Sequence, residues 1–288
     1  MPSLRDIRRR INSIKSTQKI TRAMKMVAAS KLRRAQERIF EARPYANKMF
    51  TVLSSLAGRV GREEHPLLAK RGTCRIEALI ITSDRGLCGA LNANILRKAS
   101  EFIRERRRNN CEVSISIIGR KGRDFFRRRN IALRKIWVGI SGKVIYSNAQ
   151  EIAMDLVKNY TEELFDELYL VYNEFKSAMQ QRVVVEKLLP IEPQKVEEEE
   201  AHYGDFLYEP SAEDVLATLL PKHIEVQIFR SLLESEASEQ GARMTAMDNA
   251  TKNAGEMIER FTLLFNKTRQ AAITKELMEV VSGAEALK

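Results

Sequence analysis

Two stretches of helical periodicity frame this chain, and a stretch of strand-like texture lies between them. Leu4, Ile7, Ile11 and Ile14 form a stripe of three- and four-residue spacing, which continues more weakly through Met24, Val27, Ala28, Leu32, Ala35 and Ile39. This is the spacing of a coiled-coil seam, and it predicts one long helix over residues 3–57. Ser3 is placed to cap its start, and Pro44 is the only breaker inside it, a point for a kink or a local boundary. At 1.5 Å per residue such a helix would span about 80 Å, more than a compact domain needs.

The texture changes after Gly58, Gly61 and Pro66. The short apolar runs 75–83, 111–119 and 131–138 read as strands. They alternate with helical patterns at 90–108, 120–130 and 148–163. Two more strands, 165–175 and 181–190, follow each other closely enough for a hairpin. Strands alternating with helices imply βαβ units and a largely parallel sheet covered by helices, a Rossmann-like layout.

Residues 191–210, "IEPQKVEEEEAHYGDFLYEP", are acidic, hold two prolines and read as a solvated loop. Helical periodicity then returns over 211–285. Ser211 and Asp214 resemble a capping pair, and Pro221 should kink or interrupt the helix early. Positions 244, 247, 251, 254, 258, 261, 265, 268 and 272 form a heptad seam of Met, Met, Thr, Ala, Ile, Phe, Phe, Thr and Ala. Neither terminal helix can bury its stripe alone. The simplest arrangement is an antiparallel coiled coil made from both termini, with the small α/β domain between them in sequence. The expected divisions are 1–58 and 211–288 for the two helices, 73–190 for the α/β domain and 191–210 for the acidic loop.

Charge sharpens this picture. Residues 1–50 hold 14 Lys or Arg and three Asp or Glu, while the other 238 residues hold 35 of each sign. The whole formal excess of +11 therefore sits in the first helix. One basic rod suggests one acidic surface or a polyanion as partner. No run approaches the 18 apolar residues of a membrane span, and the N-terminus lacks the apolar core of a secretion signal. Cys74, Cys88 and Cys111 have neither metal-type nor CxxC spacing, so reduced thiols are expected.

Catalytic and ligand motifs are weak. "DRGLCGALN" offers Gly86 and Gly89 without the GxGxxG pattern or a phosphate loop, and "GRKG" at 119–122 reads as a strand-to-helix turn before it reads as an anion site. Cys88 sits between glycines where a nucleophile can sit. His65, His202 and His223 have no context that makes one of them its base, so packing is the better reading. The Glu197–Glu200 run reads as a solvated loop rather than a cation site.

Several strings, in order along essentially the whole chain, resemble the gamma subunit family of F-type ATP synthases. They are "IRRRINSIKSTQKITRAMKMVAASKLRRAQ" (7–36), "SDRGLCGALN" (83–92), "LYEP" (207–210), "ASEQGARMTAMDNATKNAGEMI" (237–258) and "NKTRQAAITKELMEVVSGAEAL" (266–287). The resemblance implies a bacterial-type central-stalk rotor that couples proton flow to ATP synthesis or hydrolysis, with no active site and no cofactor of its own. Its implied partners are the alpha, beta, epsilon and c subunits, at the cytoplasmic face of the inner membrane and attached only through the c-ring complex. It also implies roles for particular residues. Arg8, Arg9, Arg10, Arg22 and Lys25 would face acidic loops of the beta subunits. Arg269, Gln270 and Thr274 would form the catch on a beta subunit, and Phe206, Tyr208 and Glu209 would meet the c-ring. The family's regulatory cysteine pair, carried on an inserted segment in some photosynthetic members, has no counterpart. Two other classes compete on the residues alone. A basic coiled-coil nucleic-acid binder lacks aromatic residues before Phe40 for stacking, and an α/β enzyme with long oligomerisation arms lacks a catalytic constellation.

Overall fold

The computed structural model describes residues 3–57, 65–72, 74–192 and 211–285. Their elements are α1 (Leu4–Ala57), β1 (Arg75–Ile81), α2 (Leu91–Arg108), β2 (Glu112–Ile118), α3 (Arg120–Arg127), β3 (Lys135–Trp137), α4 (Tyr146–Thr161), β4 (Glu167–Phe175), β5 (Gln181–Leu189) and α5 (Ala212–Glu285). The chain divides into two compact units, one of residues up to Ala28 and from Arg243 onward, the other of Ala29–Ala242.

The first unit is a pair of antiparallel helices. Ser3 caps α1 as expected: its Oγ accepts from Asp6 N–H at 3.2 Å and donates to the Asp6 carboxylate at 2.7 Å. Lys25 Nζ meets Asp248 at 2.6 Å, Thr251 Oγ1 donates to Thr21 Oγ1 at 2.8 Å, and Gln18 Nε2 donates to Thr251 O at 3.4 Å. As the α1 number rises the α5 number falls, which fixes the antiparallel sense. Along α5 the buried or half-buried positions from Met247 to Ala272 are 247, 248, 250, 251, 254, 255, 258, 261, 265, 268 and 272. All the seam positions read from the sequence from 247 onward are among them, and Met244 before them is half-buried too. On α1 the inward stripe differs at one point. Val27 is 56 % exposed while the neighbouring Ala28 of the same stripe is buried, and the seam also takes in Gln18 and Thr21. Gln18, Thr21, Met24 or Lys25, and Ala28 keep the three- and four-residue spacing; both Val27 and Ala28 fit the spacing after Met24, and it is Ala28 that is buried.

The second unit holds a five-stranded sheet in the order β3-β2-β1-β4-β5. β1 pairs in parallel with both β2 and β4, β3 joins β2 in parallel, and β5 runs antiparallel to β4 as the hairpin reading anticipated. On one face Ile76, Ala78, Ile80, Val113, Ile115 and Ile117 pack with Ile95, Ala99 and Phe102 of α2 and Phe126 of α3. Burying a side chain of this size contributes roughly 1.5–3 kcal/mol, so this layer is a large source of the domain's stability. The opposite face buries charge as well. Glu77 is fully buried, accepts from Ser114 Oγ, and is paired at 3.0 Å with Arg134, which also reaches Asp155 at 2.9 Å. Asp166, also fully inaccessible, takes two guanidinium bonds from Arg75 at 2.8 and 3.0 Å.

Two sequence expectations need correction. α5 is continuous through Pro221. Proline removes one backbone donor, and the buried Leu216, Leu220 and Ile224 hold the helix on both sides of it. Cys74 and Cys111 form a disulfide, with Cα atoms 4.8 Å apart. β1 and β2 are parallel neighbours in the register Arg75↔Glu112, so the residues just before each strand lie side by side. A separation of 37 residues in sequence gives no hint of this.

Candidate partner-facing surfaces

In an open parallel sheet, ligands bind where the strands end, at the point where the strand order reverses. Here that point is the end of β1. Thr82 Oγ1 donates to Ile118 O and accepts from Gly122 N–H, each at 2.9 Å. Gly119, at φ 97°, passes so close to the Thr82 carbonyl that no side chain fits there. Asp84 accepts from the backbone N–H groups of Arg120, Gly139 and Ser141. α5 closes the opening, with Ser238 Oγ donating to Asn173 O at 3.0 Å and Glu239 accepting from Ser141 Oγ. The space left there is about 20 Å³, room for roughly one water. Cys88 is buried in the same turn, where its sulfur accepts from Asn92 Nδ2 at 3.2 Å. Among the described residues no group of three or more His, Cys, Asp or Glu could hold a metal ion. The Glu197–Glu200 run lies outside the described residues.

The remaining candidates lie on the two long helices. Arg8, Arg9, Arg10 and Arg22 are exposed, with Arg9 bonded to Asp6 at 3.2 Å. The Asp6 carboxyl is held below the usual range, first by its hydrogen bond with Ser3 and then by Arg9. Lys25 differs from these four: it is half-buried and turned to Asp248, whose carboxyl its bond lowers. Arg269, Gln270 and Thr274 are all exposed on α5. Continuing the register of the Thr21–Thr251 and Lys25–Asp248 pairs brings the start of α1 opposite the neighbourhood of Thr268. The last turns of α5 therefore run on without a partner from α1, and Ile273, Leu277, Met278, Val280 and Val281 stand exposed there. Phe206, Tyr208 and Glu209 lie outside the described residues. No described helix is long and apolar enough to cross a membrane.

Paired terminal helices, an α/β domain whose ligand crevice is filled by its own helix, and an unpartnered helical tip define a chain built to engage other subunits. The ATP synthase family model matches residues 3–287. The chain is 51 % identical over 288 residues to the ATP synthase gamma chain of Pelotomaculum thermopropionicum, with all of both chains covered. It is 52 % identical over 291 residues to that of Anaeromyxobacter sp. (strain Fw109-5), again with full coverage of both. Among solved structures, the Tetrahymena thermophila mitochondrial ATP synthase central stalk and c-ring matches at 28 % identity and a TM-score of 0.59, over 80 % of this chain and 99 % of that one. The Euglena gracilis mitochondrial ATP synthase rotor shares the fold at 21 % identity and a TM-score of 0.66, over 94 % of this chain and 98 % of that one. The chain belongs to the ATP synthase gamma family. It is a rotor subunit of the central stalk and is not catalytic.

Proposed function

We propose that the chain transmits torque between a membrane c-ring and a catalytic ring of alpha and beta subunits, coupling proton flow to ATP synthesis or hydrolysis at the beta subunits. Residues 1–58 and 211–288 form the axle in this reading. Residues 73–190 form the α/β domain that turns with it, and 191–210 the segment facing the c-ring through Phe206, Tyr208 and Glu209. Arg8, Arg9, Arg10 and Arg22, with Lys25 at the edge, meet acidic beta-subunit loops. Arg269, Gln270 and Thr274 anchor the tip to one of them. Epsilon joins as a further rotor partner, and attachment to the inner membrane's cytoplasmic face runs through the c-ring complex.

The observation that carries this reading is the tip of α5. Its apolar side chains are exposed in the single chain and need a surrounding sleeve, and its seam has run past the start of α1. Exposed charge pairs are weak and screened, which suits an axle surface that must release each partner in turn. The test is single-molecule rotation. Met179 is 85 % exposed, so Met179→Cys gives an accessible thiol, the other free cysteine, Cys88, being buried. With the alpha/beta ring immobilised and a bead on that thiol, ATP should drive rotation in one direction. ATP hydrolysis with a stationary bead would overturn the reading.

A further inference from the structure

The zero net charge after residue 50 conceals a second basic block. Residues 97–135 carry 14 Lys or Arg against four Asp or Glu. The fold gathers much of that excess on one side of the domain. α2 and α3 pack into the same core layer, so both run back along the same face and end toward the side where the strands begin. Their last turns and the residues just after them present Arg104, Arg107, Arg108, Arg127, Arg128 and Arg129, all exposed. Arg107 is tethered to Val113 O at 3.3 Å and Arg129 to Phe125 O at 3.1 Å. Among the described residues the guanidinium groups of Arg104, Arg108, Arg127 and Arg128 have no hydrogen-bond or ion-pair partner. Helix dipoles favour a cation at each C-terminus. They do not account for six exposed arginines, four of them unpaired, and no lysine among the six.

We propose that this arginine surface docks on the anionic phospholipid headgroups of the membrane that carries the rotor ring. Three features select that partner. Arginine forks two donors onto a phosphate, which lysine cannot do. No large apolar side chain between Leu87 and Val138 is exposed, so the surface lacks the buried anchors that a stable protein interface is built around. A rotor also needs a neighbour that looks the same at every angle. A fluid headgroup layer does, whereas a fixed site on a stationary subunit would trap the axle. The choice of that membrane and this last feature rest on the function proposed above; the first two features do not.

The test is sedimentation of the full chain with vesicles of phosphatidylcholine alone and of phosphatidylcholine mixed with phosphatidylglycerol, at low and high salt. The chain should bind the anionic vesicles and release at high salt. Replacing Arg104, Arg108, Arg127 and Arg128 together by Gln should weaken that binding by about tenfold or more, given the usual contribution of each basic residue near an anionic surface. Since α1 is also basic, its exposed Arg5, Lys15 and Lys19 are replaced by Gln in a second variant, which should lose clearly less binding than the quadruple variant. Equal circular dichroism of all three chains establishes that folding is unchanged. The proposal is overturned if the quadruple variant binds like the parent, if the α1 variant shows the loss instead, or if neutral vesicles bind equally. Displacement by inorganic phosphate, at an ionic strength where chloride has no effect, would reveal a discrete anion site and equally overturn it. So would absent vesicle binding combined with lost recovery of partner subunits by the quadruple variant.

Discussion

Replacing Arg134 by Met should unfold the α/β domain at a distinctly lower temperature. Arg134 Nε donates to Glu77 at 3.0 Å and Nη1 to Asp155 at 2.9 Å, and its side chain is 22 % exposed. The two carboxylates would fare differently on its loss. Asp155 is partly exposed and keeps Lys135 at 3.6 Å. Glu77 is fully buried and would retain only the Ser114 hydroxyl. Removing one partner of a buried ion pair costs about 3–5 kcal/mol, because the remaining charge is left uncompensated in a medium that solvates it poorly. The partial exposure of Arg134 argues for the lower end, about 3 kcal/mol. At roughly 2–4 °C per kcal/mol for a unit of this size, the melting temperature should fall by about 6–12 °C. The assay is a thermal melt of the isolated chain by circular dichroism at fixed pH and salt. A second variant tests the cause. Adding Glu77→Gln to Arg134→Met removes the stranded charge and should restore a large part of the loss. A single variant melting within about 2 °C of the parent would refute the reasoning, since that is less than the smallest penalty a stranded charge allows. A double variant no better than the single would refute it too.

Three other outcomes follow from the same structure. His223 is buried and its pKa is pushed down to about 4, so the folded chain holds it neutral while the unfolded chain protonates it near 6.5. Stability should therefore decline as pH falls through that window, by about 1.4 kcal/mol per unit, and His223→Gln should flatten the decline in melts taken across it; an unchanged slope would remove His223 as the cause. Reducing the Cys74–Cys111 bridge reopens the loop spanning its 37-residue separation and should cost about 4 kcal/mol by chain entropy, read as a lower denaturant midpoint with reductant; titration of the native chain with a thiol reagent should find the bridged pair unreactive. Replacing Arg269 and Gln270 by Ala keeps helix propensity high and should leave the isolated chain's circular dichroism unchanged while turnover or assembly of the complex falls, by about one to two decades if a charge-assisted bond is lost; mutant complexes with normal yield and activity would make these side chains helix decoration only.

Local chemistry made much of this protein legible in its sequence. A seam of three- and four-residue spacing depends only on helix geometry, so the positions from 247 to 272 were readable before any partner helix was placed. Ser3 with Asp6 and Ser211 with Asp214 cap within one turn, and the alternation of strands with helices requires a mainly parallel sheet. Features that depend on residues distant in the chain were left to the tertiary structure. Val27 looked like a seam residue because it is apolar, yet its neighbour Ala28 is the one buried, and the partner helix also took in Gln18 and Thr21, since their amide and hydroxyl meet Thr251. Lys25 read as one of several basic residues until α5 brought Asp248 to it. Cys74 and Cys111 became neighbours only through the β1–β2 register. The arginine surface was hidden by a sum: acidic residues elsewhere cancel it in the net charge, but charge acts over roughly 10 Å in salt, and only the fold decides which charges come that close.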